Sequence, residues 1–113
     1  MSVTIERVDV CHLAELAVAQ PALATVNGHR LCVIRTGERE VHCIDDTCTH
    51  GAVSLSEGEV DGRTIECWLH GSRFDLCTGR PTGPPATRPV AVYPVTITED
   101  DHVLVDVPTE SEK

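Results

Sequence analysis

Cys48-Thr49-His50-Gly51 and Cys67-Trp68-Leu69-His70-Gly71 are the two stretches that decide the fold, because between them they offer two thiolates and two imidazoles. The arrangement is C-x-H, sixteen residues, then C-x-x-H. Each stretch supplies one Cys and one His. Two short loops approaching from opposite sides could each turn a Cys inward and a His outward, so that like loops make an unlike pair of metal positions. A glycine follows each histidine, at Gly51 and Gly71, where the lack of a Cβ lets the backbone turn tightly and bring amide groups close to a bound centre.

A set of two Cys and two His is also a zinc-finger composition. Zinc fingers usually cluster two cysteines first and two histidines later, whereas here each loop carries one of each. The alternative with that division is a Rieske-type [2Fe-2S] centre, in which a Cys pair holds one iron and a His pair the other.

Beyond the ligands, Leu55-Ser56-Glu57-Gly58, Phe74-Asp75, Thr78-Gly79, Pro84-Pro85 and Tyr93-Pro94-Val95 complete a pattern. It resembles the small Rieske ferredoxins of bacterial ring-hydroxylating dioxygenase systems, from about Val3 to Val107. Trp68 departs from the family, which more often has proline inside C-x-x-H.

The resemblance implies an all-β Rieske fold. Stacked antiparallel sheets would carry a cluster-binding subdomain made of two ligand loops and a proline-rich covering loop. It also implies one [2Fe-2S] cluster per chain held by Cys48, His50, Cys67 and His70, and no catalytic residue. A flavin-containing ferredoxin reductase would supply the electron and a terminal non-heme iron oxygenase would receive it. Docking is expected at His50, His70, Trp68, Leu69 and the proline loop, on a monomer. Two rival roles are a small non-catalytic subunit of another redox enzyme, such as nitrite reductase, and a generic ferredoxin serving iron-sulfur cluster assembly.

High-potential Rieske proteins add a disulfide and a tyrosine hydroxyl near the cluster; the matching positions here are Val53, Leu69 and Phe74, with Ser72 the one retained donor. Fewer hydrogen bonds to cluster sulfur predict a midpoint in the lower part of the range of roughly −150 to +300 mV. The midpoint should fall with pH only at alkaline values, where the imidazoles lose protons.

Composition agrees with one small domain, expected over residues 1–108, with a disordered polar tail at 109–113. A chain of 113 residues builds one modest core, and Trp68, Phe74 and Tyr93 are its only large aromatics, so that core must be aliphatic. The net charge of −9 disfavours nucleic acid and anionic membrane surfaces. No apolar run approaches the ~18 residues of a membrane span, and Met1 to Val10 lacks the signature of a signal peptide, so a cytoplasmic location is expected.

The other cysteines stand singly, with no C-x-x-C. Cys32 and Cys43 read as small buried hydrophobes in strands, and Cys77 as a packed thiol rather than a redox sensor. His12, His29, His42 and His102 are scattered over a turn and strand positions and offer no second metal centre, which favours an electron carrier over an oxygenase.

Strand signals dominate elsewhere. Ala22 to Val26 and Arg30 to Thr36 flank Asn27-Gly28, a hairpin dipeptide that supplies positive φ. Glu40 to Ile44 leads into the first ligand loop, and Val60 with Thr64 to Glu66 brackets an Asp61-Gly62 hairpin leading to Cys67. Val90 and Val92 change phase with Val95 and Ile97 across Tyr93-Pro94, which predicts a bulge or an edge. Val103, Val105 and Val107 close a last hairpin across Glu99 to His102. A short turn is expected around His12 to Ala17, and Arg80 to Pro89 is too proline-rich to be anything but a loop.

Overall fold

The computed structural model describes residues 4–48, 53–69, 71–84 and 86–108. Its elements run β1 (Ile5–His12), a single 3-10 turn (Leu13–Glu15), β2 (Ala22–Val26), β3 (His29–Gly37), β4 (Glu40–Asp45), a second 3-10 turn (Leu55–Glu57), β5 (Glu59–Asp61), β6 (Thr64–Glu66), β7 (Arg73–Asp75), β8 (Val92–Tyr93), β9 (Val95–Ile97) and β10 (His102–Pro108). Three antiparallel sheets result, in the orders β1-β10-β9, β2-β3-β4-β8 and β5-β6-β7. Among the described residues there is no α-helix, and no helix is long and apolar enough to cross a membrane.

β3 organises the molecule because both of its faces are covered. Side chains alternate across a strand, so Leu31 and Val33 point into one apolar cluster with Val41, Cys43, Val103, Val105 and Val107. Cys32 and Ile34 point into the other, with Ile44, Leu55, Ile65, Phe74 and Leu76. The four-stranded sheet therefore lies between the β1-β10-β9 sheet on one side and the ligand-loop half on the other.

The expected hairpins form for the expected reasons. Val26 pairs with His29, leaving Asn27 and Gly28 as a two-residue loop with φ of 52° and 82°. That is the doubly left-handed geometry which Asn-Gly tolerates. The second hairpin is displaced by one residue: Asp61 pairs with Thr64, so the loop is Gly62-Arg63, with the positive φ on Gly62. In β10, Val103, Val105 and Val107 are fully buried and alternate with partly exposed neighbours.

Several expectations are corrected. β1 and β7 appear where no strand was anticipated. β1 pairs with β10 from Ile5 to His12, but a register shift between Asp9 and Cys11 breaks its alternation. Val90 is buried yet outside any strand. The phase change at Tyr93-Pro94 is no bulge: β8 pairs with β4 and β9 with β10, so the chain passes from the edge of one sheet to the edge of another. Cys77, expected to pack, is exposed. Asp75 Oδ1 accepts the amide N–H groups of both Cys77 (2.7 Å) and Thr78 (3.1 Å), and the resulting tight turn turns the thiol outward. The 109–113 tail lies outside the described residues.

Candidate metal centre

The two ligand loops hang from equivalent places. The first follows β4 and the second joins β6 to β7. In each, the amide N–H of the cysteine donates to the carbonyl five residues on, Cys48 to Val53 at 3.0 Å and Cys67 to Ser72 at 2.6 Å. In each, the residue before the cysteine pairs with the residue closing the loop, Thr47 with Ser54 and Glu66 with Arg73. Two pinched hairpins thus present their cysteines alike. Gly71 closes the second, with φ +78° and its N–H donating to the Cys67 carbonyl at 3.0 Å.

Cys48 and Cys67 are buried, at 3% and 1% exposure, and share one apolar cluster with Leu55, Phe74 and Ala86. None of the six cysteines is in a disulfide. His50 and His70, with Gly51, lie outside the described residues. Two thiols buried together at matching loop positions fit the inner half of a [2Fe-2S] donor set, since a thiolate removed from water is otherwise costly. The thiols of the sheet are buried as well, and burial pushes Cys43 up to about 12 and raises Cys32.

The loops are packed against each other through main chain. At Gly58 an added Cβ would stand 1.8 Å from the carbonyl oxygen of Glu66, so only glycine lets the end of the first loop pass the start of the second. The proline segment covers the pair as expected. Ser72 is buried and its Oγ accepts the Ala86 N–H at 3.1 Å, Thr82 N–H donates to the Arg73 carbonyl at 2.8 Å, and Ala86 and Val90 enter the same core as the two cysteines. Phe74 is fully buried and Val53 packs on that core, so neither brings a hydroxyl to the site.

At the tip, Trp68 and Leu69 are exposed (52% and 40%), the apolar face expected for a docking surface. The remaining histidines stay apart from this site. His42 Nε2 is 2.9 Å from Glu40, His102 Nδ1 is 2.8 Å from Asp9, and His12 Nδ1 accepts the Ala14 N–H. His29 stands beside Tyr93. Among the described residues no three His, Cys, Asp or Glu side chains gather as a metal group.

One participant was not legible in the sequence. Asp46, two residues before Cys48, is fully buried, and its Oδ1 accepts the Ser56 N–H at 2.8 Å. An acidic pair beside a ligand loop reads as solvated, and only the close return of Leu55-Ser56 shows otherwise.

Residues 6–94 match the family described as the Rieske [2Fe-2S] domain. The chain is 40% identical over 100 residues to the ferredoxin component of the naphthalene 1,2-dioxygenase system of Pseudomonas aeruginosa, covering 88% of this chain and 94% of that one. Among solved structures, the ferredoxin of carbazole 1,9a-dioxygenase from Nocardioides aromaticivorans IC177 superposes with a TM-score of 0.84 at 32% identity, covering 94% of this chain and 98% of that one. A chain from a complex of reduced oxygenase and oxidized ferredoxin in carbazole 1,9a-dioxygenase superposes with a TM-score of 0.82 at 36% identity, covering 95% and 96%.

Proposed function

The chain belongs to the Rieske [2Fe-2S] domain family, and from that premise we propose that it is the electron-carrying ferredoxin of a ring-hydroxylating dioxygenase system, acting between a flavin-containing reductase and a terminal non-heme iron oxygenase. Cys48 and Cys67 would hold the inner iron, and His50 and His70 the outer one. The cluster supplies a site that takes up and gives back one electron. The chain is the carrier and not the enzyme, and it works in the cytoplasm.

Its own residues do the rest. Cys48 and Cys67, buried at matching places in two pinched hairpins, are the observation that carries this reading. Phe74 and Ala86 share the buried apolar cluster of the two cysteines and would keep water from the sulfur side. Ser72 ties the covering loop to the second ligand loop through the Ala86 N–H. Trp68 and Leu69 offer a small apolar contact, which suits a partner that must leave after each transfer. Val53, Leu69 and Phe74 offer no side-chain hydrogen bond to sulfur, which favours a low midpoint.

The test is spectroscopic and then kinetic. The purified, reduced chain should show an EPR spectrum whose average g lies below that of an all-Cys [2Fe-2S] cluster. It should be reduced by a flavin-containing reductase with NADH and reoxidised by a terminal oxygenase. A colourless chain with stoichiometric zinc would end the reading.

A further inference from the structure

Asp46 lies in the base of the first ligand loop with a carboxylate that is completely buried. Oδ1 takes the Ser56 N–H, but Oδ2 has no hydrogen-bond partner among the described residues. The cation facing it is Arg30, whose Nη2 stands 3.6 Å from Oδ2 and 3.2 Å from Ser54 Oγ. The main chain of Asp46 is held at the same place. Its N–H donates to the Arg30 carbonyl at 3.0 Å, and its carbonyl accepts the Leu55 N–H at 2.6 Å. Arg30 therefore grips both limbs of the loop, Asp46 before Cys48 and Ser54 after it, from the end of the central strand β3.

A buried charge is expensive, and an Asn here would accept the Ser56 N–H without that cost. Oδ2 thus has no use in closing the loop by hydrogen bonding. What a carboxylate adds over an amide is charge, placed two residues from a cysteine ligand and facing a guanidinium with its outer side in water. We propose that Arg30 and Asp46 are a positioning pair for the first ligand loop, holding Cys48 in place and setting the reduction potential of the centre through their opposed charges. This rests on the reading of Cys48 and His50 as ligands.

The signs follow from the extra negative charge of the reduced state. Removing a nearby positive charge disfavours reduction, and removing a negative one favours it.

The experiment uses the full, cluster-loaded chain, reading the midpoint by redox titration and the bleaching rate of the visible spectrum under a chelator. Arg30→Gln should lower the midpoint and bleach several-fold faster. Arg30→Lys, which keeps the positive charge, should bring the midpoint back towards the parent value. Asp46→Asn should raise the midpoint, and in that background the Arg30→Gln shift should shrink to less than half.

An unchanged midpoint in Arg30→Gln, or an equal shift in both backgrounds, overturns the pairing. Should Asp46→Asn fail to hold a cluster, the Arg30 series decides alone, since that side chain is half exposed and its replacement disturbs no core. A parent chain without a Rieske spectrum overturns the ligand reading and this pairing together, whereas a normal parent with unmoved Arg30 variants overturns only the pairing.

Discussion

On one face of β3, Leu31 and Val33 meet Val103, Val105 and Val107; on the other, Cys32 and Ile34 meet Leu55, Phe74, Cys48 and Cys67. The first core is closed by long paired strands, with β10 holding β1 along seven residue pairs and β9 along three. The second is closed by three-residue strands, a glycine passing a carbonyl, a buried serine and a buried aspartate. One half is a scaffold of long paired strands over a hydrophobic core. The other has short strands, and polar ties draw it together over a core of its own.

The largest effect that would sharpen this contrast is removal of a ligand. Cys67→Ala should abolish the visible spectrum and iron content while leaving the far-ultraviolet dichroism of the β1-β10-β9 and β2-β3-β4-β8 sheets. Collapse of the whole fold would break the division between the halves. Leu31→Ala, in the scaffold core and fully buried, should cost about 2–5 kcal/mol in urea unfolding with an unmoved midpoint, since its face of β3 is turned from the cluster.

Ser72→Ala leaves the buried Ala86 N–H without its acceptor, which costs about 1–3 kcal/mol, and it removes a hydroxyl beside the cysteines. The midpoint should fall and chelator access rise. Leu31→Ala should therefore change stability alone, and Ser72→Ala stability and potential together.

The smallest effect lies on the surface between the halves. Arg63, and then His42, hold the Glu40 carboxyl down from 4.5 to about 2. A carboxyl whose pKa is depressed in the folded state stabilises above its unfolded value and loses that contribution as pH falls towards the folded one. Stability should therefore decline between about pH 4.5 and 2, slightly less in Glu40→Gln, and the difference should fade with salt because the pair is exposed.

How much of this could be read in the chain depended on whether local rules set the geometry. Asn27-Gly28 fixed its hairpin because positive φ at both positions leaves few other choices. The alternation of Val103, Val105 and Val107 likewise named the buried face of β10. β1 was hidden by the slip at Asp9 to Cys11, which destroys the two-residue period. The break at Tyr93-Pro94 was visible, but a change of sheet and a bulge leave the same mark on a sequence.

At the centre, the spacing singled out Cys48 and Cys67, and both are buried in one apolar cluster. Asp46 was not singled out, because burial of a carboxylate depends on partners such as Arg30 and Ser56 that only the folded chain brings to it. Cys77 was misjudged on the average habit of cysteine, where the Asp75 turn decides instead.

Trp68 is the one tryptophan of the chain and Tyr93 the one tyrosine. They sit in different halves, the indole half-exposed within the second ligand loop and the phenol against the scaffold core. Selectively excited indole emission therefore reports from the tip alone. An iron-sulfur chromophore beside it should dim that emission, and cluster loss or a docking partner should change it, while the scaffold half stays dark. The molecule carries its own optical gauge of the half that does the work, with no label needed.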